Sequence, residues 1–428
     1  LFWPTQQILV TPDFGKSDAW HFSFATKYAL WESLHENHLP LWNDKIGDGF
    51  PLYAEGQLGT FFLPNLILFK TVNNPIVAYN LSVVFTVILL AWGTYLWLRV
   101  LKLSVIPSLF GSLTFTLSGI VILQLPHITL LQGFSILPWF MVLTHMLFEK
   151  PSRQLIGIAA FVLSQQILAG FPQATFLTLL LSASWVRRRA LYHFILVVIL
   201  GFGLSAVQLI PSYEFLQQTS LPKGLPPEMA SYFSFPLKHL ASFIDPFVLG
   251  DPKAGTYPHF TEFDGSIFWE NTGFIGLLPF AFLLVALVKK TSFQRFFLSV
   301  LAISFLLMWG SHSPLYILYS FWPFNLFRVP SRFLWVFVFA LITLASIGLH
   351  TLLQMTRKKI NLVVAVLLIA VHIASLFFLW RNYHLLVSTG QWLETPKLVE
   401  VLPDDARIYT LGSEKTHNRT FLSSGWTK

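Results

Sequence analysis

Long apolar runs separated by short polar joints make up most of this chain. Runs of about 20 residues, enough for a helix to cross the hydrocarbon core of a bilayer, fall at 75–98, 104–124, 128–148, 190–210, 270–288, 293–310, 331–353 and 360–380. Two shorter runs, 154–169 and 172–186, meet at Gly170-Phe171-Pro172-Gln173, which fits either a tight helical hairpin or a broken pair. The pattern predicts an all-α polytopic membrane protein with about ten transmembrane helices, carrying loops and interfacial helices on its outer face.

The polar stretches are unequal. Residues 17–65 hold Asp18, Glu32, Glu36, Asp44, Asp48 and Glu55, six of the 20 acids in the chain. Within them Ser17 or Asp18 opens a predicted helix over 19–36. Trp20, Phe24, Tyr28 and Trp31, continued by Leu34, form a stripe at helical spacing that is expected to lie on the outer interface with its aromatics down. The segment 211–269 is rich in proline and reads as turns and short helices on the membrane. Beyond Gln391 a short helix, a turn at Pro403-Asp404-Asp405 and a strand at Arg407–Leu411 look like the start of a soluble domain. Three parts are therefore expected: a first outer loop (1–74), a membrane domain (75–380) and the beginning of an outer domain (381–428). The opening lacks an initiator Met and any signal-peptide pattern, so the chain reads as cut at both ends, with an upstream membrane helix missing.

Charge gives the orientation. Thirteen of the 28 Lys and Arg fall in five short joints: Arg99 and Lys102; Lys150 and Arg153; Arg187, Arg188 and Arg189; Lys289, Lys290 and Arg295; Arg357, Lys358 and Lys359. The opposite joints at 124–128 and 169–173 have none. Basic short loops face the cytoplasm, so the head, 211–269, 311–330 and the tail lie outside. The composition agrees, with 54% hydrophobic and only 11% charged residues against about 25% charged in soluble domains, and a mean hydropathy of +0.62. The 15 Trp and 43 Phe fit interface anchors and interhelical packing. The net charge of +8 sits at helix ends and is no nucleic-acid signal. With no Cys, disulfides and thiolate chemistry are excluded.

The chemistry-bearing residues each have a plain reading as well. Asp18 is a helix cap or dipole partner worth about 0.5–2 kcal/mol, or an acid in a cleft. Asp44, Asp48 and Glu55 lie among Gly47, Gly49, Pro51 and Gly56; they are turn formers or oxygen ligands for a hard divalent cation. His127, near Gln124 and Gln132, is a hydrogen-bonded helix-end residue or a ligand contact. Arg328 and Arg332, four apart at the mouth of an apolar run, suit phosphate because the planar guanidinium fork binds two oxygens; otherwise they snorkel to the interface. Burial of such an arginine near the membrane demands a partner.

LPLWNDKIGDGFPLYAEGQLGTFFLPN (39–65), GFGLSAVQLIPSYEF (201–215) and FRVPSRFLWVFVFALITLASIGL (327–349) resemble the YfhO-like bacterial membrane proteins, which in turn resemble the GT-C class of membrane glycosyltransferases. The resemblance runs from Asp18 to about Leu353. It implies transfer of a sugar from a polyprenyl-phosphate donor to an envelope polymer, glycolipid or protein on the outer face. It places Asp18 where that class carries an acid in its first outer loop, as general base or metal ligand. Glu55 becomes a second acid, Asp44 and Asp48 ligands of a Mg or Mn ion, Arg328 and Arg332 donor-phosphate contacts, and His127 and Gln57 further substrate contacts. Two other readings stay open: a flippase for lipid-linked saccharide, which calls for polar residues at mid-membrane and repeats, where Gln165, Gln166 and Gln208 are the main such side chains; and a non-catalytic envelope-assembly protein.

Overall fold

The computed structural model describes residues 6–12, 17–44, 49–219, 224–258, 267–288, 292–356 and 359–390. Asp48, the side chain of Trp20, the basic residues at 289–290 and 357–358, and the expected turn and strand after Gln391 lie outside the described residues.

The head of the chain forms strand β1 (Gln7–Val10), a π-helical turn at Ala19–Ser23 running into α1 (Phe24–His35), and two short helices, α2 (Leu52–Glu55) and α3 (Leu63–Thr71). The bundle follows: α4 (Pro75–Val100), α5 (Val105–Thr116), α6 (Gly119–Ile122), α7 (Ile128–Ser135), α8 (Leu137–Glu149), α9 (Arg153–Leu168), α10 (Pro172–Trp185), α11 (Leu191–Leu204) and α12 (Ala206–Gln217). After the short α13 (Pro227–Ala230) and α14 (Phe268–Asn271) come α15 (Leu278–Ala286), α16 (Ser292–Met308), α17 (Phe333–Thr356), α18 (Lys359–Trp380) and strand β2 (Leu385–Ser388). Helix starts follow local chemistry. Asn74 accepts from the Ile76 and Val77 amides ahead of Pro75, and Ser152 accepts from that of Leu155, satisfying amides that have no partner inside the helix.

Helices stand at each predicted run, but fewer meet the length of a full span. Among the described residues four are long and apolar enough to cross a membrane: Pro75–Val100, Ile128–Glu149, Pro330–Met355 and Leu362–Trp380. A fifth arises if Arg188–Leu204 and Ala206–Gln217, bent by 72°, count as one. Val105–Thr116, Arg153–Leu168 and Phe293–Met308 are shorter apolar helices, so ten full spans are not what the structure shows. The apolar runs are interrupted by backbone breaks that hydropathy does not register. The 104–124 run breaks at Leu117-Ser118, and residues 272–277 leave the helical conformation between two helices, with Gly276 at a φ of +74°. The pair meeting at Gly170 is two separate helices joined at a φ of +89°. A Cβ on Gly170 would lie 2.2 Å from the Gly56 carbonyl oxygen, so glycine is required there both for backbone conformation and for close passage of the first loop.

Helix α17 is the hub, buried against α5, α15 and α16. The Trp335 ring stacks on Phe134 at 4.4 Å, and Trp97 gathers Trp185, Phe297 and Phe339 around it. Interhelical packing therefore absorbs many of the aromatics. The predicted stripe on α1 also turns inward: Phe24 is fully buried against Tyr79, and the Trp31 indole donates to the Val72 carbonyl. β1 and β2 pair antiparallel in the register Gln7↔Ser388 to Val10↔Leu385, a departure from the all-α expectation that joins the head of the chain to the segment after the last helix.

One consequence concerns α12. Pro211 sits inside this helix and cannot donate to the Val207 carbonyl. The Tyr53 hydroxyl donates to that carbonyl instead, at 2.6 Å, while the Gln208 amide donates to the Tyr53 carbonyl at 2.9 Å. Tyr53→Phe is expected to cost about 1–3 kcal/mol, the penalty of stranding a polar group, read as a lowered thermal midpoint, with no such loss on replacing the neighbouring exposed Tyr213 by Phe.

Candidate functional site

The acidic loops and the loops lacking basic residues meet at one end of the bundle. The Asn80 amide donates to the Gln7 carbonyl there, Thr129 to that of Gln57, and His384 to that of Ile122. Basic joints meet at the other end, where Arg187 lies over the Phe148 ring and Ser104 contacts His350.

Asp18 stands at this polar end. It occupies the N-cap position of the π-helical turn but makes no side-chain capping bond. Its carboxylate lies 3.4 Å from His127 Nε2, with the Asp18 side chain 62% exposed and that of His127 13%. His127 itself occupies the N-cap position of α7 without a side-chain capping bond and stacks on Trp269 at 5.8 Å, and the Trp269 carbonyl accepts from the Gln124 amide. The imidazole is thus fixed against an indole with one nitrogen turned to an exposed carboxylate. His384, half-buried next to it, is pushed down to about 4 by desolvation, so it stays neutral at ordinary pH.

Glu55 and Gln57 form a second, inward group. The Glu55 carboxylate accepts from the backbone amide of Gln57 at 2.9 Å and from its side-chain amide at 2.5 Å. The Gln57 carbonyl accepts from Thr129 and from Lys27, and the Leu58 carbonyl accepts from Lys27 at 2.5 Å. Lys27 is fully buried on α1. Burial lowers its pKa to about 7 against the opposing pull of Glu55, and burial raises that of Glu55 against the Gln57 bonds and Lys27. A neutral amine still donates to both carbonyls, so the 55–58 turn holds in either state. The unfolded chain keeps Lys27 protonated up to about 10.5, so between about 7 and 10.5 the unfolded state binds the extra proton and stability rises with pH. The thermal midpoint is expected to climb across that window in the natural protein, and Lys27→Met is expected to flatten this part of the profile.

Arg328 and Arg332 diverge. Four residues apart share a face only on a helix, and here Val329 at φ 68°, ψ 69° breaks the run before the turn Pro330–Arg332. Arg332 turns inward, 18% exposed, onto Glu270, 5% exposed, at 2.8 Å. Its Nη1 donates to Gln173 at 2.8 Å, and the guanidinium lies over the Phe171 ring at 4.9 Å. The Gln173 amide in turn donates to the carbonyls of Arg328 and Val329. The Arg328 side chain is exposed and has no hydrogen-bond or ion-pair partner among the described residues. Phosphate contact is therefore open to Arg328, while Arg332 already has its counter-charge.

Asp18, His127, Trp269, Glu270, Arg332 and Gln173 form a continuous run of contacts. Asp44 is exposed and outside this run. Among the described residues no three His, Asp or Glu side chains converge on a point that could hold a metal ion. The sequence pattern missed Glu270, Gln173 and Lys27. The signal for Glu270 was the rule that a buried arginine needs a partner, applied to a lone acid beside an apolar run. Lys27 had none, since its place on a helix with an acidic flank reads as solvated.

A helical membrane protein with its carboxylates gathered at one end is the class this arrangement defines. A family model described as bacterial membrane protein YfhO matches residues 53–402, most of the chain, and the chain belongs to that family. No curated protein matches. Among solved structures, the cryo-EM structure of the arabinofuranosyltransferase AftD from Mycobacteria is similar at 15% identity and a TM-score of 0.45, over 87% of this chain and 26% of that one. This chain thus spans about a quarter of that protein's length, and the likeness is too loose to carry an argument about the site.

Proposed function

We propose that this chain is part of a membrane glycosyltransferase that moves a sugar from a polyprenyl-phosphate donor to a cell-envelope polymer, glycolipid or protein on the outer face of the bacterial cytoplasmic membrane. The observation that carries the reading is the exposed Asp18 carboxylate held beside His127 at the polar end. It supports a general base that takes the proton of an acceptor hydroxyl as the sugar inverts, with His127 orienting the carboxylate. Arg328 is the donor-phosphate contact. Glu55 and Gln57 shape the floor of the same end, and Arg332 braces it through Glu270. As the alternative to its role as base, Asp18 would be the one carboxylate that a Mg or Mn ion takes along with oxygens of the donor phosphate, the usual mode for Mg; no step depends on it. Asp44 and Asp48 are weaker ligand proposals. Asp44 stands apart, and Asp48 lies outside the described residues.

The polar side chains of the bundle weigh against a flippase. Gln165 accepts from the Leu63 amide, Gln166 donates to Gly133 and Thr178, and Gln208 donates to Tyr53 and Ser212. Each ties elements together instead of lining a path. The test is sugar transfer by the full-length protein in lipid nanodiscs, with a panel of polyprenyl-phosphate sugars and envelope acceptors. Product that requires both donor and acceptor supports the reading; donor movement across the bilayer without transfer overturns it in favour of the flippase.

A further inference from the structure

Helix α12 differs from the other helices around it in how it is held. Its inward side rests on α2 by two polar bonds, Tyr53 to the Val207 carbonyl and Gln208 to the Tyr53 carbonyl, while Gln208 also donates to Ser212 one turn along α12 itself. Only Gln208 is buried along its length. Its outward side carries Val207, Ile210 and Tyr213, with Ile210 60% and Tyr213 64% exposed, and ends in Glu214, Gln217 and Gln218, also exposed. The helix is therefore tied to the protein by these polar bonds together with Leu209 and with Phe215 against the Phe50 ring, and its uncovered face is apolar over its first two turns only.

What covers that face follows from the element before it. Helix α11 packs on α9 through Gly201, where a Cβ would meet Leu163 at 2.8 Å, and leaves Ile195, Ile199, Leu200, Phe202 and Leu204 exposed. Those side chains continue across the single-residue break at Ser205 into Val207 and Ile210. At 1.5 Å per residue, Arg188–Leu204 rises about 25 Å, most of a hydrocarbon core of about 30 Å. Bent by 72°, α12 adds only about 6 Å in that direction, so it runs nearly in the plane of the membrane where α11 reaches the surface. Tyr213 is amphipathic and suits that boundary.

We infer that the first two turns of α12 lie in the leaflet at which α11 ends, against lipid chains through Val207, Ile210 and Tyr213, while its last turn rises into water. The partner of this face is lipid, in place of a second protein surface. The inference is independent of the proposed sugar transfer, and it sets α2, to which α12 is bonded through Tyr53, and the Glu55–Gln57 turn that follows it at the depth of the lipid headgroups.

The absence of native Cys allows a direct test. Single nitroxide labels are placed through Ile210→Cys, Tyr213→Cys and Gln217→Cys in the full chain reconstituted in liposomes of phosphatidylethanolamine and phosphatidylglycerol. Collisional access to oxygen, which concentrates in lipid, is compared with access to the water-soluble nickel chelate NiEDDA. The expected result is a several-fold higher oxygen-to-nickel ratio at 210 than at 217, with 213 between. Equal nickel access at 210 and 217 overturns the inference because the face then meets water. Low access to both reagents at 210 overturns it as well, since protein then covers the face. Retained monodisperse elution and unchanged thermal midpoints show that the labelled chains are folded.

Discussion

Asp18→Asn is expected to lower sugar transfer by about 10²–10⁴-fold, the usual contribution of a positioned acid or base, with little change in folding. The substitution is isosteric, and the amide oxygen still accepts from His127 Nε2, so the pairing at 3.4 Å persists. What is lost is the ability to take a proton. Asp18 makes no capping bond in the turn it precedes, so the stability of about 0.5–2 kcal/mol that a working cap supplies is not at stake. The measurement is initial transfer rate in nanodiscs together with the thermal midpoint. A fall in rate with an unchanged midpoint places the chemistry at Asp18. An unchanged rate moves it to another acid, and Glu55→Gln is the next variant to make. His127→Gln is expected to give a smaller fall, because it removes the group that aims the carboxylate and leaves the base itself.

The membrane-crossing character and the segregation of charge could be read from residue pattern because both are summed over many positions. The stretch 333–349 carries no charge and few polar side chains, and it emerges as most of the buried α17. The joints at Arg99 and Arg187 are basic and lie opposite Asp18. Span count was not readable, because backbone breaks such as Ser205 and the non-helical stretch 272–277 leave hydropathy unchanged while ending a helix. The strand pairing of Gln7 with Ser388 was also hidden, since neither four-residue segment signals a partner so far along the chain. At the site, Asp18 and His127 were each visible as types, but their contact depends on how the turn before α1 meets the start of α7. Arg328 and Arg332 looked alike from spacing. The left-handed Val329 separated them, and such a conformation in a β-branched residue is set by tertiary bonds to Tyr232 and Gln173, not by local preference.

The Arg332–Glu270 pair carries the second large expectation, and the order of the effects matters as much as their size. Glu270 is the more buried partner, 5% exposed against 18% for Arg332. Arg332→Met leaves that carboxylate without its cation, and breaking a buried pair from one side costs about 3–5 kcal/mol. Glu270→Gln costs less, since Arg332 keeps Gln173, the face of Phe171 and a path to water. The double variant Glu270→Leu with Arg332→Met removes both charges, and apolar replacements of buried pairs are often neutral. It is therefore expected to recover most of the loss. Thermal inactivation half-lives and midpoints of the natural protein, Arg332→Met, Glu270→Leu and the double variant, compared as a double-mutant cycle, read this directly. Arg332→Met no worse than a surface substitution would mean that the pair is not holding the loop to the bundle. Transfer activity of the double variant then separates the two roles considered for Arg332. If the residue only braces α14 against the start of α17, the refolded double variant keeps transfer. If its guanidinium also holds the donor phosphate, stability returns without activity. Arg328→Gln is expected to do the reverse, raising the donor concentration needed for half-maximal rate while leaving the thermal midpoint in place, because its exposed side chain supports nothing else among the described residues.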